Sequence, residues 1–208
     1  MAASAEPVID DSTRTRILEA ALLCFKQLGI DKTSLIDVAR TADLSRGTVY
    51  RYFSDRQSLI DATVERNTEN YYGEAAEVMG EERTLVDQVG AFAEVFARNI
   101  NNYRRNWLVN DDRELLRLLA SDRDGGLRRM STFIAPYVEA AKDRHEVAAD
   151  LDAREASEWI ARMFMSLTVM PGSEAFDASK PKSFRAFLER YTIDGLAPHA
   201  RRTKHARR

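Results

Sequence analysis

Between Ser34 and Gln57 the sequence leaves room for little except two short helices joined by a tight turn. Ser34 and Ser45 each stand where a hydroxyl caps a helix N-terminus, satisfying a backbone N–H that has no partner inside the helix. Asp37 follows Ser34 at the third position and completes a Ser-x-x-Asp variant of the capping box. Val38, Ala39 and Ala42 then form a small apolar face against which another helix packs closely. In the turn Asp43-Leu44, Asp43 is one of the few non-glycine types that tolerates a positive φ, and Leu44 supplies an apolar anchor. This is the pattern of a helix-turn-helix.

The second of these helices, expected over Arg46 to Tyr52, departs from ordinary amphipathic composition. It carries Arg46, Gly47, Thr48, Tyr50, Arg51 and Tyr52 and has no acidic residue, a surface suited to a polyanion. Val49 and Phe53, at i and i+4, plug the core and leave Arg46, Thr48, Tyr50 and Arg51 to the outer faces. Gly47 in the first turn costs about 1 kcal/mol of helix propensity against Ala, a cost explained by a backbone that must approach a ligand. Ser54 to Gln57 reads as a second capping box, Ser-x-x-Gln, opening a further helix whose N-terminal N–H groups suit a phosphate.

Taken together, Arg14 to Asp61 resembles the N-terminal DNA-binding domain of TetR-family transcriptional regulators. The likeness rests on Ile17-Leu18-Glu19-Ala20-Ala21, Phe25, Gly29, Thr33-Ser34, Val38-Ala39, the run Leu44 to Tyr50, Tyr52-Phe53, Arg56 and Leu59-Ile60. It covers about a quarter of the chain. Asp43 departs from the family pattern, which usually has Gly at the turn, and Asp is expected to adopt the same backbone.

The resemblance implies an all-α fold: an N-terminal three-helix helix-turn-helix domain followed by an α-helical ligand-binding and dimerisation domain. It implies double-stranded DNA as a partner, a homodimer, and a small, apolar effector, with no cofactor. A symmetric dimer presents two recognition helices to successive major grooves about 34–36 Å apart, and so to a near-palindromic operator. The DNA-facing residues are then Ser34, Ser45, Arg46, Gly47, Thr48, Tyr50, Arg51, Tyr52 and Arg56. Arg46 or Arg51 reads guanine, while Ser34, Tyr52 and the helix start at Arg56 grip the backbone.

Along the chain, residues 1–11 read as a disordered arm, 12–60 as the DNA-binding domain, 61–197 as the second domain and 198–208 as a basic disordered tail. Ser12 is expected to cap a first helix whose Ile17, Ala20, Ala21, Cys24, Phe25 and Leu28 repeat at helical spacing until Gly29. The helix opened by Ser54 runs toward about Tyr72 and connects the domains mechanically. Further helices are expected near Leu85 to Arg104, Trp107 to Ser121, Leu127 to His145, Ala153 to Met170 and Lys182 to Leu196.

Ala153 to Met170 is apolar on more than one face, so one face serves the bundle core and the other needs a cover. The resemblance supplies that cover as a second copy joined through the last two helices, giving Trp159, Ile160, Phe164, Leu167, Phe184, Phe187, Leu188 and Tyr191 as interface residues. The competing reading is an ordinary central bundle helix. Phe92, Phe96, Tyr103, Trp107, Met130, Phe133, Tyr137 and Met163 are expected to line an effector pocket of the family's kind, against the plainer reading that such aromatics are core.

Composition bounds what else the chain can be. With 208 residues, 44% hydrophobic, it has enough apolar material for a sizeable core. Its net charge of −2 does not announce a nucleic-acid binder, but Ser12 to Ile60 holds eight Lys or Arg against five Asp or Glu. Cys24, the one cysteine, excludes an intrachain disulfide and reads as a small buried hydrophobe in a reducing compartment. No apolar run approaches a membrane span and no leader pattern opens the chain, so a cytoplasmic protein with no membrane partner is expected. His145, His199 and His205 are scattered, and no metal spacing, phosphate loop or nucleophile elbow exists, which leaves an all-α enzyme as a remote alternative. A nearer alternative is a regulator of the same fold that activates, or that needs no small molecule.

Overall fold

The computed structural model describes residues 10–106, 125–169, 174, 176–177 and 180–193, and side chains throughout these except at 100–106, 167–169 and 192–193. The described residues are all-helical. The helices are α1 (Asp11–Leu28), α2 (Leu35–Thr41), α3 (Arg46–Tyr52), α4 (Arg56–Gly80), α5 (Leu85–Asn106), α6 (Gly126–Asp143), α7 (Ala153–Val169) and α8 (Pro181–Leu188). A single π turn, Glu189–Ile193, follows α8. The helix expected from Trp107 to Ser121 and the basic tail after Pro198 lie outside the described residues.

The chain forms two compact units. Among the described residues, the first takes 10–71 with 102–106, and the second takes 72–101 with those from 125 onward. The division therefore falls inside α4. α4 reaches Gly80, eight residues beyond the expected end near Tyr72, because Ala75 and Met79 are buried apolar positions that keep the helix worth forming.

In the first unit, Ile17, Leu18, Ala21, Phe25, Leu35, Val38, Ala39, Val49, Phe53 and Leu59 make one core. Burial of a side chain such as Phe25, 2% exposed, contributes roughly 1.5–3 kcal/mol. Two caps differ from expectation. Asp10, not Ser12, caps α1, its carboxylate accepting from the Ser12 N–H at 3.1 Å and the Ser12 hydroxyl at 2.6 Å. Asp55, not Ser54, caps α4, accepting from the Ser58 N–H at 2.7 Å. In both cases a carboxylate was available and makes the stronger, charge-assisted bond to the free N–H groups. α1 therefore begins at Asp11, within the stretch expected as the arm, and residues 1–9 lie outside the described residues.

The second unit is built on aromatic packing. Phe164 of α7 meets Phe92 and Phe96 of α5 at ring-centroid distances of 4.7 and 5.0 Å, and Phe184 of α8 at 5.7 Å. Phe133 of α6 meets Phe92 at 5.4 Å and Tyr72 at 4.8 Å. On the side of this core, Arg185 of α8 bonds Glu189 at 2.7 Å and Asp87 at 3.1 Å, with Glu82 and Glu94 at 3.7 and 3.6 Å. Gly90 makes that approach possible, since a Cβ there would stand 2.7 Å from the Arg185 Nε.

Candidate nucleic-acid interface

The interface is assembled from caps upward. Ser34 and Asp37 form the expected capping box: the Ser34 hydroxyl accepts from the Asp37 N–H at 3.2 Å, and the Asp37 carboxylate accepts from the Ser34 N–H at 3.1 Å. The Ser34 hydroxyl also donates to that carboxylate at 2.6 Å, and these bonds hold the Asp37 carboxyl below its ordinary 3.8. α2 buries Leu35, Val38 and Ala39. The turn that follows has Asp43 at φ 51°, the conformation its residue type allows, with the Leu44 N–H donating to the Ala39 carbonyl at 2.9 Å. Arg16 of α1 donates to the Asp43 carbonyl at 3.0 Å and so braces the turn from outside.

α3 occupies Arg46–Tyr52, as the spacing predicts, capped by Ser45, whose hydroxyl accepts from the Thr48 N–H at 3.0 Å. Val49 is sealed at 0% exposure and Phe53 at 4%, anchoring the helix. Arg46, Gly47, Tyr50 and Arg51 are exposed, Tyr50 at 52%, and Thr48 is half-buried. No acid stands in the first turn, and the space around Gly47 is open, the nearest neighbour to a Cβ there being the Ser45 hydroxyl at 3.8 Å. A short basic and aromatic helix anchored by Val49 and, at its end, Phe53 can lie in a groove about 12 Å wide and offer guanidinium, hydroxyl and phenol groups to phosphates and base edges.

Three of the expected contact residues also hold bonds within the first unit. The Ser34 hydroxyl is spent in its capping box. Half-buried Tyr52 places its hydroxyl against Asp10, accepting from the Asp10 N–H at 3.2 Å and donating to the Asp10 carbonyl at 3.3 Å. Arg56 turns its guanidinium toward the loop before α2, donating from Nε to the Thr33 carbonyl at 2.9 Å and from a terminal nitrogen to the Ile30 carbonyl. Sequence reasoning missed Arg16 and this use of Arg56, since nothing in a local pattern shows that a loop carbonyl far along the chain will face a given arginine.

In the second unit the expected interface splits. Ile160, Phe164, Phe184 and Leu188 are at most 2% exposed and belong to the unit's own core, which corrects their assignment to a subunit contact. Trp159 at 49% and Tyr191 at 65% are exposed, and Phe187 is half-buried. Of the expected pocket, Phe92, Phe96 and Met130 are sealed among neighbours, while Phe133, Tyr137 and Met163 are half-buried. Trp107 and the side chains of Tyr103 and Leu167 lie outside the described residues. Burial pushes the Tyr72 hydroxyl up to about 12, the mark of a phenol held in an apolar setting. Among the described residues no group of His, Cys, Asp or Glu is placed to hold a metal, and no helix is long and apolar enough to cross a membrane.

Comparison with known proteins agrees with this geometry. Residues 17–63 match the family model for bacterial regulatory proteins of the tetR family. The chain is 26% identical over 186 residues to the uncharacterized HTH-type transcriptional regulator Rv1255c of Mycobacterium tuberculosis, covering 88% of this chain and 85% of that one. Its fold is shared with the TetR family repressor AlkX from a Dietzia strain, at TM-score 0.59 and 22% identity over 88% of this chain and 94% of that one. The same holds for SmeT, solved with triclosan, at TM-score 0.55 and 19% identity over 86% and 90%. The helix-turn-helix thus carries the match to bacterial regulatory proteins of the tetR family over residues 17–63, and the chain shares the fold of TetR-family structures over most of its length.

Proposed function

We propose that this regulator acts as a homodimeric repressor that sits on a near-palindromic operator and leaves it when an apolar small molecule binds the second unit. The observation that carries the DNA half is the exposed, acid-free face of α3, with Arg46, Tyr50 and Arg51 outward and Val49 buried. Arg46, Gly47, Thr48, Tyr50 and Arg51 make the groove contacts, and Ser45 orients them as the cap. Ser34 and Tyr52 serve by holding the scaffold. Symmetric pairing supplies the second recognition helix, and a second copy covers the exposed aromatics Trp159 and Tyr191, the latter with its ring 5.2 Å from half-buried Phe187.

An apolar effector suits the half-buried rings of Phe133 and Tyr137 with Met163, and SmeT was solved with such a compound. The close packing of Phe92, Phe133 and Phe164 favours a second reading, in which the regulator works without a small molecule. A thermal-shift screen with apolar aromatics separates the two, since a binder at a hundred times its Kd raises stability by about 2.7 kcal/mol. The DNA half is tested by selecting duplexes from a random pool and repeating the gel shift with Arg46→Ala and Tyr50→Ala. Loss of retention with an intact dimer is the expected result. Retention by both variants would show that α3 is not the reading surface. Linking the selected sequence to a reporter gives the sign of regulation.

A further inference from the structure

We propose that Arg56 is a positioning residue for DNA recognition, tying the first turn of α4 to the start of α2, and that it makes no phosphate contact itself. The inference rests on the DNA-binding reading above and adds a residue that acts through others. The geometry centres on one peptide plane, between Thr33 and Ser34. Its carbonyl accepts from Arg56 Nε at 2.9 Å, and its N–H donates to the Asp37 carboxylate at 3.1 Å. The plane is thus held on one side by α4 and on the other by α2.

A second nitrogen of the same guanidinium holds the Ile30 carbonyl, which also accepts from the Thr33 N–H at 3.2 Å. Thr33 is buried at 3% exposure, and its hydroxyl closes the loop on the Gly29 carbonyl at 2.8 Å. The loop is therefore closed by its own bonds and braced by Arg56 of α4. The nearby carboxylate of Asp31, fully exposed and 4.0 Å away, adds little in water. A planar fork that spans two carbonyls is a property of Arg, and Lys, with one compact ammonium, does not reproduce it. Any rotation of the first turn of α4 is passed through this fork to the cap of α2, and from α2 to the turn that sets α3.

The experiment uses the full chain and a duplex that the wild-type chain itself recovers from a random pool. Arg56→Lys, Arg56→Gln and, as a direct-contact comparator, Arg46→Ala are measured for Kd across a salt series, with the folded fraction followed by circular dichroism. The expected result is a loss of about tenfold in affinity for both Arg56 variants, from a smaller competent fraction, with the slope of log affinity against log salt unchanged. Amide exchange at Ser34 and Asp37 rises in the same variants. Arg46→Ala instead lowers the slope by about 0.9 per protomer. Should Arg56→Gln fail to fold, Arg56→Lys carries the comparison alone. A slope lowered in Arg56→Gln and kept in Arg56→Lys overturns the proposal in favour of a phosphate contact. Unchanged affinity and slope, with or without a lower melting point, reduces Arg56 to a stability brace and overturns it too. Recovery of no duplex by the wild-type chain would instead sink the DNA-binding reading, and this inference with it.

Discussion

α2 and α3 are both seven residues long and both begin after a serine cap, yet they are built for different ends. α2 buries Leu35, Val38 and Ala39 and closes its N-terminus with a carboxylate from its own first turn. α3 buries Val49 alone, has no acid, and turns Arg46, Tyr50 and Arg51 outward. Neither helix is long enough to be stable by itself. The difference teaches that tertiary contact is divided unequally on purpose of function: one helix is held by many contacts so that its neighbour can be held by few and keep its surface for a partner.

The comparison breaks most visibly at the buried valines. Val49→Asp places an unpaired charge at a sealed site and is expected to cost about 4 kcal/mol or more. If Val49 is the principal anchor of α3, amide exchange will show α3 released first, whereas Val38→Asp unfolds the whole first unit. Equal effects on both helices would mean that α3 is held by more than its valine.

Next in size is affinity. Arg46→Ala combined with Arg51→Ala is expected to weaken binding to a selected duplex about 100-fold, roughly 2.7 kcal/mol. Arg40→Ala on α2, where the guanidinium lies 2.9 Å from Asp37, should weaken it far less. The melting point should move by no more than about 0.5 kcal/mol equivalent in either. A similar loss from Arg40→Ala would move the reading surface onto α2.

Smaller effects sharpen the contrast. Ser34→Ala and Ser45→Ala each remove a cap worth about 1 kcal/mol, with the larger loss at Ser34, whose box has two reciprocal bonds. Gly47→Ala meets no close neighbour in the free chain, so its expected outcome is a gain of about 0.5–1 kcal/mol in stability. The same variant should bind DNA less well, which a gel shift beside a melting curve will show. The smallest effect is on pH. Hydrogen bonds from the Ser34 hydroxyl and then its N–H hold the Asp37 carboxyl low, so the ionised form is favoured on folding. That contribution is present above the ordinary value of 3.8 and is lost as pH falls through and below it. Exchange in α2 should therefore rise on acidification before that in α3, whose Ser45 and Thr48 cap does not titrate.

The exposed face of α3 was the most legible part of the molecule. Residue types at α3 report their own exposure, because a cap, a buried valine and a run of bases act within one or two turns. The positive φ of Asp43 was legible for the same reason. Less so were the caps of α1 and α4, where Asp10 and Asp55 stand beside serines that could serve as well and the difference is one of local geometry. At Arg56 the pattern pointed outward to DNA, and the fold turned the side chain to carbonyls 23 and 26 residues earlier. Phe164 and Trp159 lie on the same apolar helix, yet one is sealed and the other half exposed. Periodicity shows that a face needs cover without saying whether the same chain provides it.

The amino-acid order by itself determined the helical class, the two short helices with their serine caps, and the basic character of α3, since these depend on bonds within a few residues and on side-chain chemistry. Only the tertiary structure decided which aromatics form the second unit's core, how far α4 extends, and where the guanidinia of Arg16, Arg56 and Arg185 are spent. Those outcomes depend on groups far apart in the chain, and burial or a captured carbonyl exists only once folding has brought them together.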